Sequence, residues 1–226
     1  MYMSSTALAL DPVKVPSHIK LDGGRGNENV GNNVEIPRLK LLQKLSDELD
    51  RNKASYEPDA QDGNFFNTIS KQNYGDDVYV VSVLFKKKFV VWKNRDAGQG
   101  GGKLGTYDSW NEAEAAIQET GDKPEVWSIV DTDEHLFLVK DPVSGVMETT
   151  PCVFEMSGTK QRASRAMNAQ IGAKRGDRFS GVWKMSAFHA TSKSGAPYVG
   201  LNVGFEGWTT KEEFTFAESV YKQFAN

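Results

Sequence analysis

The strongest pattern in the sequence is an alternation of apolar and polar residues in its middle and near its C-terminal end. Residues 78–92 are rich in β-branched and aromatic side chains, which predicts one long strand or two strands bent at the lysines 86–88. Residues 179–191 and 198–205 alternate on either side of a turn-forming segment, which predicts a hairpin. Shorter strands are predicted at 65–69, 126–130, 135–140 and 146–156.

Three other segments have the apolar spacing of helices: 108–119, 157–171 and 210–225. Ser109 with Glu112, and Thr210 with Glu213, match the capping box, in which two side chains pair with two free N–H groups at a helix start. Gly172 is predicted to end the middle helix, because glycine readily adopts the left-handed conformation at a helix C-terminus. The last of the three segments is amphipathic.

The beginning of the chain differs in composition from the rest. Residues 1–35 contain many glycines, asparagines and charged side chains, which predicts a poorly ordered N-terminal arm. Residues 36–226 are predicted to form a single domain. Its first segment, 36–49, is either a helix begun by Pro37 or a short edge strand.

The order of these elements predicts the fold class. About six to eight short strands are interrupted by helices and do not alternate regularly with them. We therefore expect an α+β fold with an antiparallel sheet or a small β-barrel, decorated with helices and ending in the amphipathic C-terminal helix 210–225.

Composition excludes several protein classes. The chain has 226 residues and one cysteine, Cys152, so it contains no internal disulfide. The three scattered histidines argue against a structural zinc site. The longest apolar stretch has about eight residues, whereas a membrane helix needs about 20. No secretory signal is apparent, and we expect a soluble protein of a reducing compartment with no membrane partner.

The net charge of −3 hides a strong segregation of charge. Residues 80–105 hold six lysines and arginines against one aspartate, and residues 157–188 hold seven against one aspartate. These two segments carry +5 and +6, so the remainder of the chain carries −14. Positive charge gathered in two segments of an acidic protein indicates a polyanion site, or else two solvated basic faces without a ligand.

The motifs of enzymes and cofactor sites match poorly. Gly100, Gly102 and Gly105 have the spacing of a dinucleotide fingerprint, but no strand–helix unit surrounds them. Ser157 and Lys160 have the spacing of a serine–lysine nucleophile, but its companion motifs are missing. We predict a protein that is not an enzyme and has no cofactor. An enzyme with a dispersed site remains an alternative, which metal-dependent turnover of nucleic acid would reveal.

Basic residues interleaved with aromatic ones form the remaining pattern. On a strand over 85–95, Lys86, Lys88 and Trp92 share one face, and Phe85 and Phe89 lie on the other. Cations for phosphates and flat rings for unpaired bases are what single-stranded nucleic acid requires. The predicted binding residues, expected to converge in one groove, are Lys86, Lys87, Lys88, Trp92, Lys93, Arg95, Lys103, Lys160, Arg162, Arg165, Lys174, Arg175, Lys184, Phe188 and Tyr198. Alternatively, the rings belong to the core and the lysines protect an edge strand.

The same segments resemble a known family. The residues VEIPRLKLLQ at 34–43, the Phe-Phe-Asn strand within 63–67 and VVSVLFKKKFVVW at 80–92 precede a glycine-rich loop and a basic helix. This order, over about 34–208, resembles bacteriophage single-stranded DNA-binding proteins, some of which serve as cofactors of a phage RNA polymerase. The resemblance implies an OB-like β-barrel with Lys86–Lys88, Trp92, Arg162 and Arg165 on the DNA side. Many of these proteins end in an acidic tail, whereas this chain ends in a predicted helix.

These observations predict that the chain binds single-stranded DNA in phage DNA replication, recombination or early transcription. Its expected partners are single-stranded DNA, a phage polymerase and a second copy bound through the C-terminal helix. The expected location is the cytoplasm of an infected bacterial host. The alternative function is that of a phage structural or host-takeover protein, whose basic β surface binds a protein partner.

Overall fold

The computed structural model describes residues 35–94, 102–141, 143–192 and 195–225. The chain divides into two units, residues 1–35 and 36–226. The described residues belong to the second unit apart from Glu35, so the predicted N-terminal arm and the predicted binding residue Arg95 lie outside the described part of the chain.

The described residues form nine strands and three α-helices. The strands are β1 (Leu39–Leu41), β2 (Phe65–Asn67), β3 (Asn73–Gly75), β4 (Asp77–Lys93), β5 (Gly102–Tyr107), β6 (Trp127–Lys140), β7 (Cys152–Ser157), β8 (Gly181–Thr191) and β9 (Pro197–Trp208). The helices are α1 (Trp110–Glu119), α2 (Gln161–Lys174) and α3 (Lys211–Phe224). The predicted α+β class with antiparallel pairing is confirmed.

The central element is β4, which forms one strand of 17 residues. It belongs to a six-stranded sheet in the order β7-β6-β4-β8-β9, with β5 also paired to β4. On the side away from β6, β8 pairs with Asp77–Val81 and β5 pairs with Phe89–Lys93. The described strands do not close into a barrel, because β7 and β9 end the sheet without pairing with each other. The OB-like barrel is therefore not found.

Strand β6 replaces the two short strands predicted at 126–130 and 135–140. The polar residues between them continue the strand because they lie opposite the lysines of β4, with Asp133 opposite Lys87 and Glu134 opposite Lys86. Opposite charges in cross-strand pairs favour this pairing.

A second, three-stranded sheet has the order β1-β2-β3. Segment 36–49 is not an α-helix; it contributes the short strand β1 and a single 3-10 turn, Asp47–Leu49. Leu39 and Leu41 are buried on either side of exposed Lys40, which is the period of a strand. Val153 N–H of β7 donates to Pro37 O at 2.8 Å and connects the two sheets.

The helices lie on both faces of the large sheet. Val81 and Val83 of β4 pack with Ala217 and Val220 of α3 on one face. On the other face, Val91 packs with Ala113 and Ile117 of α1. Helix α2 shares this second face. Its Ala163 and Met167 pack in the main core with Val80 and Phe137.

Helix ends follow local chemistry. Both bonds of the predicted capping box at Thr210 and Glu213 are present. At α1, Ser109 caps as predicted, but the Glu112 carboxylate accepts from Asp108 N–H. The prediction that Gly172 ends α2 is wrong, because the helix continues to Lys174 and Arg175 takes the left-handed conformation with φ 57°.

Candidate nucleic-acid interface

One face of β4 carries the basic and aromatic residues that the alternation predicted. Pairing with β6 is regular from Leu84 to Lys93, so Lys86, Lys88 and Trp92 lie on one side of the sheet. Helix α3 covers the same side of the sheet farther along β4, where Leu84 packs beside it. None of the other described helices shares a hydrophobic cluster with this side, so the part of it that α3 does not cover carries no described helix.

Strand β5 adds a further lysine to this face. Trp92 lies directly opposite Lys103 across the β4–β5 pair. Directly opposed residues project from the same side of a sheet, so an ammonium group and an indole are neighbours. Trp92 is 45% exposed, and both Lys86 and Lys103 are exposed. We call Lys86, Lys88, Trp92 and Lys103 the β4 face.

Acidic neighbours neutralise part of this charge. Lys88 Nζ donates to Asp108 Oδ1, and this hydrogen bond lowers the pKa of the Asp108 carboxyl. Among the described residues, Lys86 and Lys103 form no ion pair within 4.0 Å. The β4 face therefore offers two available ammonium groups and a third that is shared with Asp108.

The remaining two lysines of β4 lie on the opposite face. Lys87 Nζ is 2.9 Å from Asp131 Oδ2, and Lys93 Nζ is 2.9 Å from Asp122 Oδ2. Lys93 also lies over the Trp127 ring, at 5.1 Å from its centroid. These carboxylates neutralise both lysines, of which Lys87 stays exposed and Lys93 is largely covered.

Helix α2 presents a second basic surface. Arg162, Arg165 and Arg175 are exposed, and none of them forms a salt bridge with another described residue. No acidic residue occurs between Met156 and Gly176. We call Arg162, Arg165 and Arg175 the α2 surface.

An aromatic cluster adjoins the end of α2. Lys174 Nζ is 3.4 Å from the centroid of the Phe205 ring and 5.4 Å from that of Trp208. Trp208 is 59% exposed and meets Phe205 edge-on at 5.2 Å. Lys174 is therefore held against two rings, which is a favourable position for a cation.

The structure does not bring all predicted residues into one groove. The β4 face lies on the α3 side of the sheet, whereas α2 packs on the other side. The two basic segments meet at Arg178, whose Nη1 donates to Ser82 Oγ at 3.0 Å and whose guanidinium lies 5.2 Å from the Phe85 ring centroid.

Arg178 lies beside a gap in the sheet. On the edge of β4 away from β6, one stretch is paired with β8 and a later stretch with β5. Residues 82–88 lie between these two stretches and have no partner strand on that edge among the described residues. We call this gap the β4 notch. The sequence alone gave no reason to single out Arg178 among its basic neighbours, because the notch depends on where β5 and β8 end.

Four other predicted residues have structural partners. Lys184 Nζ is 2.8 Å from Asp77 Oδ2. The Phe188 ring covers Gly200 so closely that a Cβ there would lie 2.3 Å from it. Tyr198 is half-buried opposite Ala190. Lys160, at the N-terminal end of α2, is half-buried in a cleft near β1.

The described residues contain no group of three or more His, Cys, Asp or Glu side chains that could hold a metal ion. The hydrogen-bonded pair of His135 and Ser164 is fully buried, as is Cys152. Among the described helices, none has the length and apolarity that crossing a membrane requires.

Comparison with known proteins gives the family. The model of the family described as Pam3 phage gp34-like protein matches residues 6–226, almost the whole chain. Neither the curated proteins nor the solved structures contain a significant match. The match supports the predicted phage origin and says nothing about DNA. The chain belongs to the family of Pam3 phage gp34-like proteins.

Proposed function

We propose that this protein binds single-stranded DNA on the β4 face, in support of phage DNA replication, recombination or early transcription. The observation that carries the proposal is the exposed Trp92 ring next to Lys103, on the same side as Lys86. The ring stacks on an unpaired base, and the two ammonium groups neutralise neighbouring phosphates. Binding of this kind requires neither a metal nor a reaction.

The spacing of these residues suits an extended strand. Lys86 and Trp92 are six residues apart on β4, which corresponds to ~20 Å along the strand. A strand laid along β4 thus meets a cation at each end and an indole beside the second cation. An exposed indole selects unpaired bases, because the bases of a duplex are already stacked on each other.

The α2 surface provides a second contact for longer strands. The β4 notch lies between the two faces, and Arg178 and Lys86 are on its border. Phe179 and Arg178 pack beside the first part of the notch, against Val83 and Ser82, so a strand that leaves the β4 face passes the notch at Lys86–Lys88 and reaches the helix side of the sheet, where the three arginines of the α2 surface are exposed. Phosphate contacts of this type add affinity without sequence preference.

Charge reversal on the β4 face tests the proposal. In the double variant Lys86→Glu/Lys103→Glu, we expect the affinity for unphosphorylated dT8 to fall at least tenfold at low salt. The log–log salt slope should fall by about 1.4, since each lost phosphate contact removes about 0.7. Fluorescence anisotropy of labelled oligonucleotide measures both quantities.

The matched control is Lys44→Glu/Lys211→Glu, which changes the net charge equally at two exposed lysines away from the β4 face. Equal losses in the two double variants would show that only net charge matters and would refute a local site. If the unmodified protein retards no oligonucleotide at low salt, the proposal is refuted, and the alternative of a basic β surface that binds an acidic protein partner is favoured.

A further inference from the structure

A groove with a volume of about 460 Å³ lies at the end of β6 that is farther from the β4 face. It is lined by the segment that turns back after β6, residues 146–150, by Pro37 before β1, and by the turn after β2, which contains Ile69. Ile69 and Val146 are 51% and 65% exposed. Apolar side chains that stay exposed around a groove are typical of an interaction surface.

Two carboxylates lie in this groove, and no described lysine or arginine lines it. Glu148 Oε1 accepts a hydrogen bond from Tyr74 Oη at 2.8 Å, whereas Oε2 has no partner among the described residues and is not sealed from solvent. Burial raises the pKa of Glu148; the bond from Tyr74 opposes this shift, and the negative charge of Asp141 adds to it. Lys140, the neighbour of Asp141 in the chain, is paired with Glu213 instead. The groove therefore favours a cation.

The segment after β6 also has an unpaired edge. Glu148 N–H donates to Val139 O of β6 at 2.8 Å, and Met147 forms an antiparallel bridge with Lys140. In this geometry the N–H and C=O groups of Met147 point away from β6, because neighbouring residues of a strand direct these groups to opposite edges. Neither group forms a hydrogen bond with another described residue. Both can pair with one residue of an added strand, which is a general mode of peptide binding.

An added strand would hold its side chains in a defined register. The residue paired with Met147 projects to the side of α3, where Met147 packs, so the two residues that flank it lie on the groove side. In an antiparallel strand the first of these two lies opposite Glu148 and the second lies opposite Val146. Opposite charges and apolar contacts in such cross-strand pairs stabilise a sheet. A cation in the first position and an apolar side chain in the second therefore complement the groove.

We propose that this groove binds an extended segment of a partner protein in which a lysine or arginine is followed, two positions later, by an apolar residue. The basic side chain pairs with the carboxylates of Glu148 and Asp141, and the apolar one packs against Val146 and Ile69. The residue between them pairs with the main chain of Met147. The groove is separate from the β4 face, so this inference does not rest on the proposed function.

The direct probe is an acetylated and amidated peptide, Ser-Lys-Ala-Val-Ser. In methyl NMR spectra of the full chain, we expect it to shift the methyl resonances of Val146 and Ile69 and to leave Ile117 of α1 unchanged. The peptide with glutamine in place of lysine should bind at least fivefold more weakly. So should the peptide N-methylated at its alanine, which lacks the N–H that donates to Met147 O. No shift at millimolar peptide, or equal binding of the glutamine peptide, would overturn the proposal.

Two variants locate the charge that binds the lysine peptide. Glu148→Gln and Asp141→Asn keep the shape of the side chain and an oxygen that accepts hydrogen bonds, and each should weaken binding at least threefold. Glu114→Gln removes the same charge at an exposed position of α1 outside the groove and should bind like the original chain. Unchanged affinity in both groove variants would overturn the proposal. Movement of the same resonances on dilution without peptide would also overturn it, because a second copy would then occupy the groove.

The groove and the β4 face can be tested separately. The double variant Lys86→Glu/Lys103→Glu should still bind the lysine peptide, and Glu148→Gln should still bind dT8. Loss of peptide binding in the double variant would show that the peptide does not bind in the groove and would overturn the inference. A failure of the β4 face is therefore distinguishable from a failure of the groove.

Discussion

At the scale of single residues, internal carboxylates determine how much charge the β4 face offers to DNA. Lys88 is bonded to Asp108, and the charge of Lys86 also lowers the pKa of that carboxyl. A phosphate that approaches Lys88 must compete with Asp108. The sequence does not predict this competition, because the two residues are 20 positions apart and meet only through the pairing of β4 with β5.

Removing this carboxylate should strengthen binding. We expect Asp108→Asn to raise the affinity for dT8 by about two- to fivefold at low salt, because Lys88 then pairs with a phosphate without competition from a carboxylate. Anisotropy titration measures the change, and Asp47→Asn, at another exposed aspartate, serves as the control. An unchanged or lower affinity in Asp108→Asn would show that Lys88 does not reach the DNA.

His135 is a buried residue whose charge state matters for stability. Its ring stacks on Phe137 and meets Phe85 edge-on, and Nε2 is 2.9 Å from Ser164 Oγ. Burial lowers its pKa from 6.5 to about 3, and the positive charge of Arg178 adds to this effect. Between these pH values the unfolded chain binds a proton that the folded chain does not, so stability falls as the pH falls.

This linkage predicts a pH effect of known sign. From pH 6.5 to pH 5 the free energy of unfolding should fall by about 1.5 kcal/mol, since the slope approaches about 1.4 kcal/mol per pH unit below the unfolded pKa. Urea denaturation measures it. His135→Gln should lose most of this fall and His189→Gln, at an exposed histidine, should retain it. The same fall in both variants would contradict the assignment to His135.

At the scale of elements, strong local patterns predicted structure well. β4 and the β8–β9 hairpin have long runs of β-branched and aromatic residues, and α3 has a complete capping box. Segment 36–49 was ambiguous because its leucines fit both periods, and packing of Leu39 and Leu41 against the main core selects the strand. The place of Lys103 was not predictable, since an irregularity between Val91 and Trp92 sets the register of β5.

The capping box of α3 should contribute measurably to stability. Thr210 Oγ1 accepts from Glu213 N–H, and Thr210 N–H donates to Glu213 Oε2. We expect Thr210→Ala to lower the free energy of unfolding by about 1 kcal/mol in urea denaturation. Thr215→Ala, at an exposed position in the same helix, should change it by less than half as much. Equal effects would show that the cap does not stabilise the fold.

Helix α3 also bears on the predicted self-association. Its Ala217 and Val220 are buried against the chain's own sheet, with Phe214 and Phe224 packed beside them. Most of the apolar side of α3, which suggested a contact with a second copy, is therefore buried against the chain's own sheet. Among the large apolar side chains of α3, Tyr221 stays exposed, so self-association through this helix would have to use mainly its polar side.

At the scale of the whole molecule, the sheet places the basic residues of the β4 face and those of α2 on opposite sides. Two basic segments were evident from counting residues, but their relative position depends on which face each helix covers. α2 packs on one face and the β4 face belongs to the other, with the β4 notch between them. The two surfaces therefore predict a dependence on the length of the DNA.

The α2 surface should matter only for long strands. We expect Arg162→Glu/Arg165→Glu to bind dT8 like the original chain and to bind dT30 at least fivefold more weakly at low salt. Anisotropy titrations with the two lengths measure this difference, and Lys44→Glu/Lys211→Glu again controls for net charge. An equal loss for both lengths would place the α2 surface and the β4 face in one short site.

The most direct test of the account is a titration of intrinsic tryptophan fluorescence with dT8 and with a duplex, in the original chain, Trp92→Ala and Trp208→Ala. We predict that dT8 quenches the fluorescence and the duplex does not. Trp92→Ala should lose most of the quenching and bind about 5- to 150-fold more weakly, since one base stack contributes about 1–3 kcal/mol. Trp208→Ala, which removes a more exposed indole on the α2 side, should behave like the original chain. Undiminished binding by Trp92→Ala, or equal binding of the duplex, would contradict the account.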